Sequence, residues 1–158
     1  MTKTYPILVL WAVLALISCS KEPPAPVVPP EAAFVYTLDG QTYSTIGIAF
    51  KESVPRGLKF HSKPIPVIVN GVRYQDRLLV LFSDTGSGQY PLHTLQLYRT
   101  DERDQSLRIS EFTTNATATV TQKVAGTWSG TFAGESTNAQ GQVVSTLSNG
   151  TFDHIQLL

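Results

Sequence analysis

The sequence predicts an all-β domain, an antiparallel β-sandwich with a β-barrel as the alternative, and three observations carry that prediction. Two dipeptides suited to tight hairpins, Asp39-Gly40 and Asn70-Gly71, each separate short apolar or aromatic runs. Both accept the positive φ values that a two-residue type I′ turn demands. Two later stretches, Ala116 to Thr121 and Thr127 to Phe132, alternate strictly between hydroxyl and non-hydroxyl residues. That period of two belongs to a strand with one dry and one wet face. Beyond residue 31 no segment sustains a 3.6-residue apolar period, so helices are not expected.

Taken in order, Phe34 to Leu38 and Gln41 to Tyr43 flank the first turn, and Val67 to Val69 and Val72 to Tyr74 flank the second. Between them, Pro55, Pro64 and Pro66 predict loop or sheet edge over 54–66, because proline cannot donate to a ladder. Leu78 to Phe82 is apolar at every position and predicts a central strand covered on both sides. Gln89-Tyr90 and Thr94 to Tyr98 read as short strands. The mixed-sign stretch from Arg99 to Arg108 reads as a solvated loop. In the alternating segments, Trp128, Gly130 and Phe132 share one face, with Thr127, Ser129 and Thr131 opposite. Val143 to Leu147, an Asn149-Gly150 turn and Thr151 to Leu157 close the chain. About ten short strands with frequent turn signals indicate a sandwich or barrel.

The N-terminus has a different character. Lys3 precedes the uncharged apolar run Ile7 to Ile17, which is shorter than the ~20 apolar residues of a spanning helix and fits the core of an export signal. Leu16-Ile17-Ser18-Cys19 follows. It resembles the lipobox of bacterial lipoprotein precursors, with an aliphatic residue three before the Cys and a small residue directly before it. The resemblance implies cleavage between Ser18 and Cys19, and lipid attachment on Cys19. The chemistry requires a thiol there, because a diacylglyceryl thioether is built on sulfur. Cys19 is the single Cys of the chain, so no internal disulfide framework exists. The expected organisation is a signal peptide over 1–18, a lipidated Cys and Pro-rich tether over 19–31, and an all-β domain over 32–158.

Ser20 to Pro30 is rich in proline. Such a segment favours polyproline II, at about 3.1 Å per residue, and holds a domain roughly 30 Å from its anchor. Ser20, not Asp, follows Cys19, so the inner-membrane retention signal of enteric bacteria is absent. Ser20-Lys21-Glu22 resembles the short charged export signal of Bacteroidota lipoproteins. The expected location is the outer membrane, with the periplasmic and outer faces both left open. Lys and Arg total 12 and Asp and Glu total 12. This balance, without a basic stripe, excludes an electrostatic nucleic-acid binder.

Beyond the lipobox, several segments resemble a group of small Bacteroidota lipoproteins that end in an all-β domain and have no assigned activity. Phe34 to Tyr43 is similar to their opening strand, Asp/Asn-Gly turn and following aromatic. Gly86 to Leu92 is similar to a mid-domain segment. Ala125 to Phe132 and Leu147 to Phe152 are similar to their closing strands. The 54–66 stretch departs from that pattern. The resemblance implies location and fold, and it adds no site residue.

Candidate chemistry is sparse. Asp84-Thr85-Gly86-Ser87 resembles the aspartic-protease signature, in which two aspartates share a proton and activate water. One copy is present, Ser83 stands where an apolar residue is usual, and the partner segment reduces to Val124-Ala125-Gly126. Asp, Gly and Ser are also ordinary turn residues. His61, His93 and His154 lie far apart with no ligand spacing, so no metal site is expected. Ser129 is the fourth residue of Gly126 to Gly130, which is not the nucleophile-elbow arrangement. No cofactor is implied. The expected function is a lipid-anchored, non-enzymatic binding or structural module. Its expected partners are the membrane, through Cys19, and a glycan, a small apolar ligand or another envelope protein. A hydrolase using Asp84 is the alternative.

Overall fold

Ten antiparallel strands follow one another, and among the described residues there is no α-helix. The computed structural model describes residues 33–53, 56–85, 89–122 and 126–158. The strands are β1 (Ala33–Leu38), β2 (Gln41–Ser53), β3 (Arg56–Ser62), β4 (Ile65–Val69), β5 (Val72–Ser83), β6 (Leu92–Asp101), β7 (Leu107–Glu111), β8 (Thr114–Gln122), β9 (Thr127–Thr137) and β10 (Val143–Gln156). Export signal, Cys19 and tether lie outside the described residues.

Both predicted hairpins form. Asp39 and Gly40 take φ of 50° and 84°, and Asn70 and Gly71 take 50° and 77°, the paired positive values of a type I′ turn. A Cβ on Gly40 or Gly71 would meet nothing within 4 Å, so substitution there costs backbone strain alone. Gly40→Val and Gly71→Val should each lose on the order of 1 kcal/mol or more. Urea melts of a soluble chain beginning at Glu31 measure this, and unchanged midpoints for both would refute the turn geometry.

The strands form one continuous sheet in the order β7-β6-β5-β3-β2-β1-β10-β9-β8, with β4 also pairing β5. Neighbours in sequence are mostly neighbours in space, and the last strand closes back on the first. β7 and β8 stand at opposite ends of this order, yet only Phe112 and Thr113 separate them. The sheet must therefore curl to bring its two ends near each other at that connection, without pairing them. Phe112 marks the junction, its N–H donating to Leu95 O at 2.9 Å. The molecule thus takes the barrel-like alternative and not two separate stacked sheets. β2 explains why: its first half pairs with β1 and its second half with β3. The chain turns the corner inside one strand and never starts a second sheet.

Curling brings aromatic side chains from distant strands into one core. The rings of Phe60 and Phe152 stack at 4.3 Å, and Phe34 lies 5.3 Å from Phe132. Trp128 and Phe132 point inward as their alternation requires, at 5% and 2% exposure. Gly130 between them is a close-approach position: a Cβ there would lie 2.1 Å from Thr119 O and 2.4 Å from the Phe152 ring. Leu78 to Phe82 is buried at all five positions. Flanking strands cover its outer side, with Leu79 beside His61 and Gln96, and Leu81 beside Lys59 and Thr94.

Four local expectations need correction. Arg56 to Ser62 is an interior strand and not a loop or edge, because its inward residues Leu58 and Phe60 enter the core. Pro64, in the connection between β3 and β4, and Pro66, on β4 with its single partner, sit where predicted, and Pro55 lies outside the described residues. Gln89-Tyr90 is not a strand; β6 starts at Leu92. Asn149-Gly150 is a bulge within β10 and not a hairpin turn, since the register shifts between Leu147 and Gly150. Asn149 still takes φ 51°, as the positive-φ residue of a bulge can. Finally, Arg99 and Asp101 belong to β6 and not to a solvated loop.

Candidate functional site

Two polar clusters stand out. The first is the outer face of β8, β9 and β10, where alternation places hydroxyls side by side. Thr119 pairs with Thr131, which pairs with Thr151; Thr121 pairs with Ser129. The Thr119 and Thr131 hydroxyls are 2.9 Å apart. The last of three register shifts between β10 and β9, between Phe152 and Ile155, exposes both Asp153 and His154 at this face. A shallow groove of about 460 Å³ runs between Thr119, Thr121, Ser129, Thr131, Thr151 and Asp153.

The geometry here limits the chemistry. Ser129 Oγ–H donates to Asp153 Oδ1, and His154 Nδ1 lies 2.9 Å from Asp153 Oδ2. The Ser129 hydrogen bond, with His154 assisting, holds the Asp153 carboxyl below the usual carboxylate range. Serine, aspartate and histidine are all present, but the carboxylate stands between the other two. In a Ser-His-Asp triad the serine hydroxyl donates to the imidazole, and here it donates to the Asp153 carboxylate instead. The arrangement is suited to accepting and donating hydrogen bonds to a ligand.

The second cluster is inside the sheet. β5 alternates inward through Tyr74, Asp76, Leu78, Val80 and Phe82, so Asp76 is the one carboxylate in that inward row. Asp76 is 1% exposed and receives Arg99 in a two-point pair, Nε to Oδ1 at 2.8 Å and Nη2 to Oδ2 at 2.6 Å. The guanidinium also lies 5.5 Å from the Tyr74 ring centroid. This bidentate, aromatic-stacked geometry is what makes a desolvated Arg–carboxylate pair tolerable. Next along β6, Asp101 is held down to about 2 by hydrogen bonds from the Arg103 side chain and backbone N–H, and it shapes the turn into β7.

Tyr36 reports on this interior. Its hydroxyl is buried and has no hydrogen-bond partner among the described residues. Burial pushes its pKa above the ordinary phenol range, with the Asp76 charge and Tyr43 reinforcing the shift. In the unfolded chain the phenol ionises near pH 10, so above that pH the unfolded state binds fewer protons than the folded state. Stability should therefore fall as pH rises past about 10, with a limiting slope of about 1.4 kcal/mol per pH unit. Tyr36→Phe should keep neutral-pH stability and flatten this loss. Urea midpoints at pH 8 to 11 measure it, and parallel curves for variant and wild type would refute it.

Ser18, Cys19, Gly86 and Ser87 lie outside the described residues. Asp84 closes β5 against Arg56, which donates Nε to its Oδ2 at 3.1 Å, while Asp84 N–H donates to Arg56 O at 2.9 Å. Within this chain that geometry gives Asp84 a structural role in tying β5 to β3. His61, His93 and His154 stay apart, and among the described residues no group of three potential ligands gathers to hold a metal. Sequence reading missed both clusters. The signal for Asp76 was available in its period-two spacing with Tyr74 and Leu78. Asp153 and His154 carried no such signal, because a bulge set their orientation. In comparisons with protein families, curated proteins and solved structures, the chain matched none.

Proposed function

We propose that this chain is a lipid-anchored envelope protein whose β domain is a non-enzymatic binding or structural module at the outer membrane. The observation that carries the reading is Leu16-Ile17-Ser18-Cys19 at the boundary between an apolar export segment and a proline-rich tether. A single acyl chain anchors marginally and two or more anchor stably, so full lipoprotein processing at Cys19 would hold the domain firmly. Ser20 after Cys19 favours the outer membrane. The hydroxyl groove on β8 to β10 supports binding over triad-type catalysis, because Ser129 donates to the Asp153 carboxylate and not to the His154 imidazole. A hydroxyl-rich partner, such as an envelope glycan, suits a row of threonines flanked by one carboxylate.

Labelled palmitate tests the anchoring. The wild-type chain should take up label, whereas Cys19→Ser should take up none and should persist as the uncleaved precursor. Equal labelling of the two would overturn the reading.

A further inference from the structure

The sheet has three edge strands, and they are not protected alike. β4 carries Pro66, which has no N–H to offer a neighbour. β7 carries Arg108 and Glu111. The stretch of β6 left beyond β7, Leu92 to Thr94, begins directly after Pro91. Prolines and charges are the devices by which edge strands avoid pairing with other chains. β8 has neither. Thr114 to Gln122 contains no charged residue and no proline, and it pairs only with β9. Its inward residues Ala116, Ala118 and Val120 are only half-buried, so this edge is open where a closed wall would bury them.

We propose that β8 pairs edge to edge, antiparallel, with β8 of a second copy of this chain. The neutral, threonine-rich sequence of the strand is compatible with that occupant. In a two-fold antiparallel pair the residue on the axis faces its own copy, so a charge there would face a like charge, and every other residue faces its mirror mate. β8 is free of that conflict along its whole length. A two-fold axis at Thr119 sets Thr119 against Thr119 and Thr117 against Thr121. Threonine pairs of this kind are favourable across strands. The contact would also join the two hydroxyl grooves, which share β8, into one continuous face.

Cysteine scanning in the full-length chain, expressed in a bacterial envelope, tests this. Directly opposed antiparallel residues have Cα atoms about 4.5–5.5 Å apart, within disulfide range. Thr119→Cys should give a reducible band at twice the monomer mass, stronger than Thr117→Cys or Thr121→Cys. Thr131→Cys, one strand inward, should give none. No doubled band from any of the three β8 variants, or an equal one from Thr131→Cys, overturns the proposal. An adduct of another mass overturns it too, because the partner would then be foreign. As an independent arm, Thr119→Lys should weaken co-purification of two differently tagged copies by on the order of tenfold or more, as opposed like charges do. Mixing Thr119→Lys with Thr119→Glu should restore it, and failure of that rescue counts against the pairing.

Discussion

Truncating Trp128 or Phe132 to alanine is expected to cost about 3–5 kcal/mol, much of the stability of a typical domain. Both side chains point into the curled sheet. Trp128 meets the edge of Tyr90 at 5.5 Å, and Phe132 packs against Phe34 and Phe152 at 5.3 and 6.4 Å. Gly150 presses on Phe132 closely enough that a Cβ would lie 2.2 Å from the ring. A backbone held that near cannot readily collapse into the space a missing ring leaves, which places Phe132 toward the upper end of the range. Urea melts on a soluble chain beginning at Glu31 measure both variants. A midpoint within error of wild type for Trp128→Ala would mean that the indole serves a ligand and not the core.

The ion pair of Asp76 and Arg99 gives the other large effect. Asp76→Ala leaves the guanidinium without its carboxylate, and breaking a buried pair from one side costs about 3–5 kcal/mol. The Arg99 side chain keeps 24% exposure, so water can take up part of its charge, and the loss should fall near the lower end. Replacing both partners, as Asp76→Leu with Arg99→Met, should recover most of it, because the isolated charge disappears with its mate. A double variant no more stable than Asp76→Ala would show that the pair contributes more than mutual neutralisation.

Local order was legible in the sequence where one physical preference had one structural outcome. Asp39-Gly40 and Asn70-Gly71 need positive φ between two apolar runs, and hairpins satisfy that need. Alternation from Thr127 to Phe132 has one interpretation, and Trp128 is buried accordingly. Asn149-Gly150 was misread because the same φ preference serves a bulge as well as a turn. Arg99 was misread because its partner, Asp76, is 23 residues away; a charge at an inward position looks like loop until its mate is known. Ser129 and Asp153 are separated by 24 residues and meet only through the β9–β10 register. The curl itself rests on β10 pairing with β1, a contact between the two ends of the domain that no local pattern announces.

The mass of the mature N-terminal peptide tests the anchoring most directly. Protein taken from the envelope of the native cell and digested with protease should yield a peptide that starts at Cys19 and carries acyl and diacylglyceryl groups. A mature chain that starts elsewhere, or an unmodified Cys19 thiol, would contradict the account.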